Sequence, residues 1–239
     1  MSENLRQELR ELLAGLEGWL KYQQRLGCLG TPRLKEAVPA PGEAGGGRAV
    51  PAGRPTLEEI RAEMGDCQRC KLGRTRTHLV FGEGSPQARL MFVGEAPGEE
   101  EDLQGRPFVG QAGQLLNSLL SKLGLRREDV YITNVVKSRP PKNRDPEPDE
   151  VAACLPFLIK QIESIQPLVI VTLGKISTQS LLKTTAPITK IRGTWQKFGN
   201  IKVMPTFHPS YLLRFPKERH KTWEDMQQVM EYLAAHEAD

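Results

Sequence analysis

Long apolar runs are missing from this chain. No stretch approaches the about 20 predominantly apolar residues that a membrane-spanning helix needs. The first residues, MSENLRQELREL, are charged from the start and contain no apolar core of the kind a secretory signal carries. The expected location is therefore the cytoplasm, with no membrane contact. Cysteine is scarce, at four in 239 residues. In a cytoplasmic chain of this size that argues against a disulfide framework and raises the odds of a metal or cluster site. No internal repeat is visible. Basic residues vanish at the far end, where residues 222–239 hold five acids and no Lys or Arg.

Charge elsewhere runs the other way. Residues 126–221 hold 17 Lys plus Arg against 8 Asp plus Glu, a surplus of nine in a chain whose net charge is only +4. A concentrated surplus suits a polyanion such as nucleic acid, although a solvated basic surface gives the same count.

Three regions follow from composition. Residues 1–29 carry an amphipathic helix over 3–26, with Leu5, Leu9, Leu12, Leu16 and Trp19 recurring at roughly helical spacing. Residues 30–55 are rich in Gly, Pro and Ala and read as a flexible linker. The helix is thus tethered, with docking on the domain, on a second copy or on a protein partner all open. Residues 56–239 form the main domain. Thr56 is placed to cap a helix over LEEIRAEM. Four short apolar runs read as strands: 90–94 (LMFVG), 130–136 (VYITNVV), 168–174 (LVIVTLG) and 201–207 (IKVMPTF). Helical stretches lie between and after them, including 112–123, 150–165 and 221–235. Continuous apolar strands alternating with helices indicate an α/β domain, a mostly parallel central sheet with helices on both faces.

In such a sheet, ligands bind beyond the carboxyl ends of the strands. Glu95-Ala96-Pro97-Gly98 follows the first strand, Asn134 lies near the end of the second, and His208-Pro209-Ser210 follows the last. Three strand ends thereby deliver a carboxylate, an amide and an imidazole to one crevice. Taken singly, each is also an ordinary turn residue.

The segments GEAPGEEEDLQGRPFVGQAGQLL (94–116), VYITNVVK (130–137), RPPKNRDP (139–146) and HPSYLLR (208–214) resemble the family 4 uracil-DNA glycosylases, the iron–sulfur type within the uracil-DNA glycosylase superfamily. The resemblance runs from about Leu57 to Arg219 and leaves residues 1–56 unexplained. It implies a DNA-repair enzyme that flips uracil out of DNA and hydrolyses the N-glycosidic bond, leaving an abasic site.

Such chemistry needs a stacking surface, a base-reading amide, a donor to uracil O2 and a group that positions water. By resemblance Phe108 is the stacking aromatic, a position that a core Phe fills equally well. Asn134 reads the base edge, donating to O4 and accepting from N3–H, where cytosine presents the reverse pattern. His208 donates to O2 as negative charge develops there. Glu95 orients the water and stabilises the cationic sugar. Glu101 fills the space beside C5, where thymine carries its methyl, and Ala96 contributes a backbone N–H. The loop of Tyr211, Leu212 and Leu213 is a candidate wedge for the gap left by the flipped base. Arg214, Lys137, Arg139, Lys142 and Arg144 are the phosphate candidates. One superfamily branch captures the sugar covalently through a His in its basic loop; KSRPPKNRDPEPDE contains no His, and no covalent capture is expected.

Cys67-Gln68-Arg69-Cys70 is a C-x2-C pair, and Cys154 lies far downstream. The resemblance implies a structural 4Fe-4S cluster held at positions 67, 70, 138 and 154, but this chain has Ser138 where the family has its fourth cysteine. Ser138 itself, water or Cys28 would complete the set, the linker arguing against Cys28. Three cysteines also suit zinc. Two readings compete with the glycosylase: a non-catalytic DNA-binding module of the same fold, and a hydrolase of free nucleotides. The complete Glu95, Asn134 and His208 set speaks against the first, the candidate wedge and the basic surplus against the second.

Overall fold

The computed structural model describes residues 53–236. The expected N-terminal helix, most of the linker and Cys28 lie outside that range. Helix α1 (Leu57–Met64) starts at a reciprocal cap: Thr56 Oγ1 accepts from the Glu59 N–H at 3.2 Å, and Glu59 Oε2 accepts from the Thr56 N–H at 2.7 Å. Strands β1 (Glu83–Gly84) and β2 (Leu90–Gly94) follow, then helices α2 (Glu99–Gln104) and α3 (Gln111–Lys122). After β3 (Tyr131–Asn134) come α4 (Pro148–Ile165), β4 (Val169–Leu173), α5 (Lys175–Leu182) and α6 (Ile188–Ile191). Strands β5 (Gln196–Phe198) and β6 (Ile201–Thr206), the short α7 (Pro209–Arg214) and the long α8 (Arg219–Ala235) complete the order.

The sheet runs β1-β3-β2-β4-β6-β5. Its four inner strands are mutually parallel, and β1 and β5 close the edges antiparallel. The four expected strands form with ends within three residues of the sequence boundaries; the two edge strands, of two and three residues, were not anticipated. Side chains of the inner strands alternate between two cores. Met91 and Val93 pack with Leu158, Ile162 and Leu181 on the α4–α5 side. Leu90 and Phe92 pack with Leu116, Leu120, Met226 and Val229 on the α3–α8 side. Helices therefore cover both faces, which is why the strands read as continuous apolar runs. A smaller cluster of Ile60, Met64, Phe81 and Phe157 fixes α1 on α4. Among the described residues, no helix is long and apolar enough to cross a membrane.

The chain leaves the central β2 toward β3 on one side and then returns to β4 on the other. A reversal of that kind opens a crevice at the carboxyl ends of the strands.

Candidate active site

The crevice at that reversal has a volume of about 570 Å³, within the range of pockets that take small ligands. Glu95 and Asn134 enter it from β2 and β3, Gly174 and Lys175 from β4, and His208 from β6. The elements that carry Phe108 and Tyr211 form its walls.

Asn134 ends β3 and is 1% exposed. Its Oδ1 is buried and has no hydrogen-bond partner. An orphaned buried acceptor is costly, and this one is aimed into a crevice beside the Phe108 ring. Gly94 makes that proximity feasible: a Cβ there would overlap both Asn134 Oδ1 and the Phe108 ring.

Phe108 adopts φ 51°, a left-handed conformation uncommon for a bulky residue. Such strain of about 1–3 kcal/mol persists only where the surroundings over-determine it, and here they do. Glu101 accepts from the N–H groups of Val109 at 2.8 Å and Gly110 at 2.9 Å through one oxygen, and from Gly98 at 3.1 Å through the other. From the opposite side Arg127 donates to the carbonyls of Pro107 at 2.6 Å and Phe108 at 3.0 Å. Phe108 is a core member, 5% exposed, and it also lines the crevice.

His208 is the N-cap of α7. Its Nδ1 accepts from the Ser210 backbone N–H at 3.1 Å and lies 2.7 Å from Ser210 Oγ. A nitrogen that accepts from a backbone N–H carries no proton, so the neutral ring bears its proton on Nε2. Burial, together with the charge of Arg214, pushes the imidazole down to about 4. His208 is thus a neutral donor across the physiological range. Its ring lies 5.7 Å from that of Phe108. Gly174, at φ 93°, lies directly under it; a Cβ there would come within 2.9 Å of His208 Cβ.

The Glu95 carboxyl is raised to about 7 by burial and by neighbouring Asp145, with Lys175 pulling the other way. Lys175 and Asp145 line the crevice, and sequence reasoning missed both. Lys175 was within reach of the strand-end rule, since it follows the apolar run LVIVTLG.

Ala96, Glu101, Arg144 and Arg214 also line the crevice. Two of the remaining expectations, Lys137 and Leu212, need correction. Lys137 is fully buried, its Nζ donating to Asn134 O and Gln161 Oε1 at 2.7 Å and to Thr133 Oγ1 at 2.5 Å. It braces β3 from below and cannot touch phosphate. Leu212 is 4% exposed and packs inward, because helical periodicity turns it away from the rim; it is not a wedge. Leu213 is partly buried. Arg144 is paired with Glu150 at 2.7 and 2.9 Å, and Arg139 bonds Asn143 at 2.7 Å and approaches Glu99 at 3.4 Å. Lys142 and Arg214 remain exposed.

Cys67, Cys70 and Cys154 do not line the crevice. Cys154 is buried and Cys67 and Cys70 are partly buried. Burial raises the Cys154 thiol, and Cys70 and Cys67 are close enough to add to that. Arg76 connects the remaining position: one Nη1 donates to Cys67 O at 2.6 Å and to Ser138 Oγ at 3.3 Å. Positions 67, 70, 138 and 154 therefore fall in one neighbourhood. Among the described residues, no group of three His, Cys, Asp or Glu side chains is placed to hold a single metal ion.

Comparison with known proteins gives a consistent result. A family model described as "Uracil DNA glycosylase superfamily" matches residues 81–234. A type-4 uracil-DNA glycosylase of Saccharolobus solfataricus is 50% identical over 188 residues, 75% of this chain and 87% of that protein. Its namesake in Thermotoga maritima is 54% identical over 162 residues, 66% of this chain and 83% of its own. A type-5 uracil-DNA glycosylase of Pyrobaculum aerophilum is more distant, at 35% identity over 146 residues.

Proposed function

The chain belongs to the uracil-DNA glycosylase superfamily and, within it, to the type-4 family, and from that premise we propose how its own residues excise uracil from DNA. The flipped base enters the crevice and stacks on Phe108. Asn134 Oδ1 accepts from uracil N3–H while its amide nitrogen donates to O4; cytosine, with an acceptor at N3 and a donor at C4, is refused. His208 donates from Nε2–H to O2 as the leaving uracil gains negative charge, and no proton need transfer. Glu95, as carboxylate, orients the attacking water and stabilises the cationic sugar, with Lys175 favouring its ionised form. The wall held by Glu101 meets the methyl group of thymine, and the Ala96 backbone faces the base.

The observation that carries this reading is the unpartnered Asn134 Oδ1, an acceptor whose missing donor a uracil N3–H supplies. The test is release of free uracil from single- and double-stranded oligonucleotides, with thymine, cytosine and free deoxyuridine nucleotides as controls. Release from the free nucleotides alone, or from nothing, would overturn it.

The Glu95 role has a signed pH dependence. A carboxyl near 7 is charged above that pH and is lost as an anion below it. The single-turnover rate of cleavage should therefore fall about tenfold per pH unit below 7 and level off above it, and Glu95→Gln should remove the slope along with most of the activity. A flat wild-type profile would assign Glu95 a different part.

The thiols of Cys67, Cys70 and Cys154, with Ser138 beside them, fit a 4Fe-4S cluster, the ligand chemistry being thiolate for such groups. When bound, the cluster would pin the 67–70 segment to the 138–154 region. An oxygen ligand at position 138 is a harder, poorer match to iron–sulfur chemistry. Ser138→Cys should raise iron and acid-labile sulfide per chain, slow bleaching in air and raise the melting temperature, since metal binding adds to folding free energy. Cleavage should barely change, because no crevice residue is among these ligands. Equal iron content and air stability in the two proteins would place Ser138 outside the ligand set.

A further inference from the structure

With Leu212 turned inward, an exposed apolar side chain follows one position beyond the segment singled out in the sequence. Phe215 is 51% exposed, one of two large hydrophobic side chains so exposed among the described residues. A lone exposed aromatic needs no explanation in itself, but this one is built in. Its ring lies 4.7 Å from that of Tyr211, which lies 4.8 Å from that of Phe207, and the Arg192 guanidinium covers Phe207 at 5.5 Å. A ladder of rings thus runs from the interior to the surface. The backbone is held as well: the Phe215 N–H donates to Tyr211 O at 2.9 Å, and Phe215 O accepts from the Glu218 N–H at 3.0 Å. Tyr211 and Arg214, four positions and one position before it, line the crevice. Arg214, Lys217, Arg219 and His220 are exposed around it, a setting that suits the phosphates on either side of a base.

We propose that Phe215 stacks on the base that flanks the flipped uracil, replacing the neighbour which that base loses. This rests on the glycosylase reading. A rigid, half-exposed aromatic face beside cations is the pairing that nucleic-acid grooves use for sequence-tolerant stacking. The demand is greatest in duplex DNA, where flipping breaks an established stack.

The test is a cycle with two changes, Phe215→Ala in the protein and removal of the flanking base from the DNA by a tetrahydrofuran abasic analogue. The affinity for duplexes carrying a non-cleavable 2′-fluoro deoxyuridine is read by fluorescence anisotropy. With the flanking base present, Phe215→Ala should weaken binding about 10- to 100-fold, the scale of one base–aromatic stack, and Phe215→Trp should restore it. With the flanking base absent, wild type and Phe215→Ala should bind alike. Equal affinity on the intact duplex overturns the proposal, as does a loss of the same size on both duplexes. The side chain is exposed, so an unchanged melting curve is expected for both variants. Uracil release by wild type is scored separately: its absence would count against the glycosylase reading, whereas the affinity cycle reports on Phe215.

Discussion

Asn134→Asp is expected to lower the single-turnover rate of uracil excision by about three orders of magnitude or more, the scale on which a site built around one substrate hydrogen-bond pattern rejects another. The substitution is nearly isosteric, so packing beside Phe108 survives. What changes is the donor to O4, which becomes an acceptor facing an acceptor. The side chain is 1% exposed, and an ionised carboxylate there meets no water to offset the mismatch. A trace of cytosine release is the complementary expectation, because a carboxylate accepts from the exocyclic amine. Rates on uracil- and cytosine-containing oligonucleotides, with melting curves for both proteins, decide the matter. A folded variant with unchanged uracil kinetics would remove Asn134 from base reading.

His208→Ala should reduce bound-state cleavage by about 100- to 1,000-fold, the range for deleting one donor to a developing oxyanion. Affinity for uracil-containing DNA should change little, because the donor acts mainly when negative charge gathers on O2. The substitution also removes the cap of α7, a loss of about 0.5–2 kcal/mol, so rates need to be compared well below the melting transition. Since the ring is neutral above about 4, its loss should lower the plateau of the pH profile without moving the inflection due to Glu95. Lost binding with normal cleavage of the bound DNA would make His208 a DNA contact instead.

Glu95, Asn134 and His208 were legible in the sequence because each sits at or just past the end of an apolar strand, and parallel strands bring such ends together. The same rule applied to β4 leads to Lys175. Lys137 was misleading for a local reason: it stands beside Arg139, Lys142 and Arg144 in a basic stretch, and only the packing of α4, which brings in Gln161, shows that its Nζ turns back under β3. Leu212 misled because α7 is a single short helix whose inward face has no period long enough to read. The left-handed Phe108 was beyond local reasoning altogether. Its conformation opposes its own preference and is imposed by Glu101 and Arg127, which lie seven residues before it and 19 after it. Edge strands of two and three residues carry too little pattern to be seen.

The sheet order has a consequence for how the site comes into being. Glu95, Asn134, Gly174 and His208 are spread over more than 100 positions of chain, and no two neighbours among them are joined by a hairpin. They meet only after β2 has paired with both β3 and β4, and β4 with β6. Each of those pairings closes a long loop before it gains a contact, the slow and non-local kind of step in folding. No subset of the chain assembled early can hold a base, and loss of any one inner pairing separates the carboxylate, the amide and the imidazole. The capacity to open a glycosidic bond is thereby tied to completion of the whole sheet.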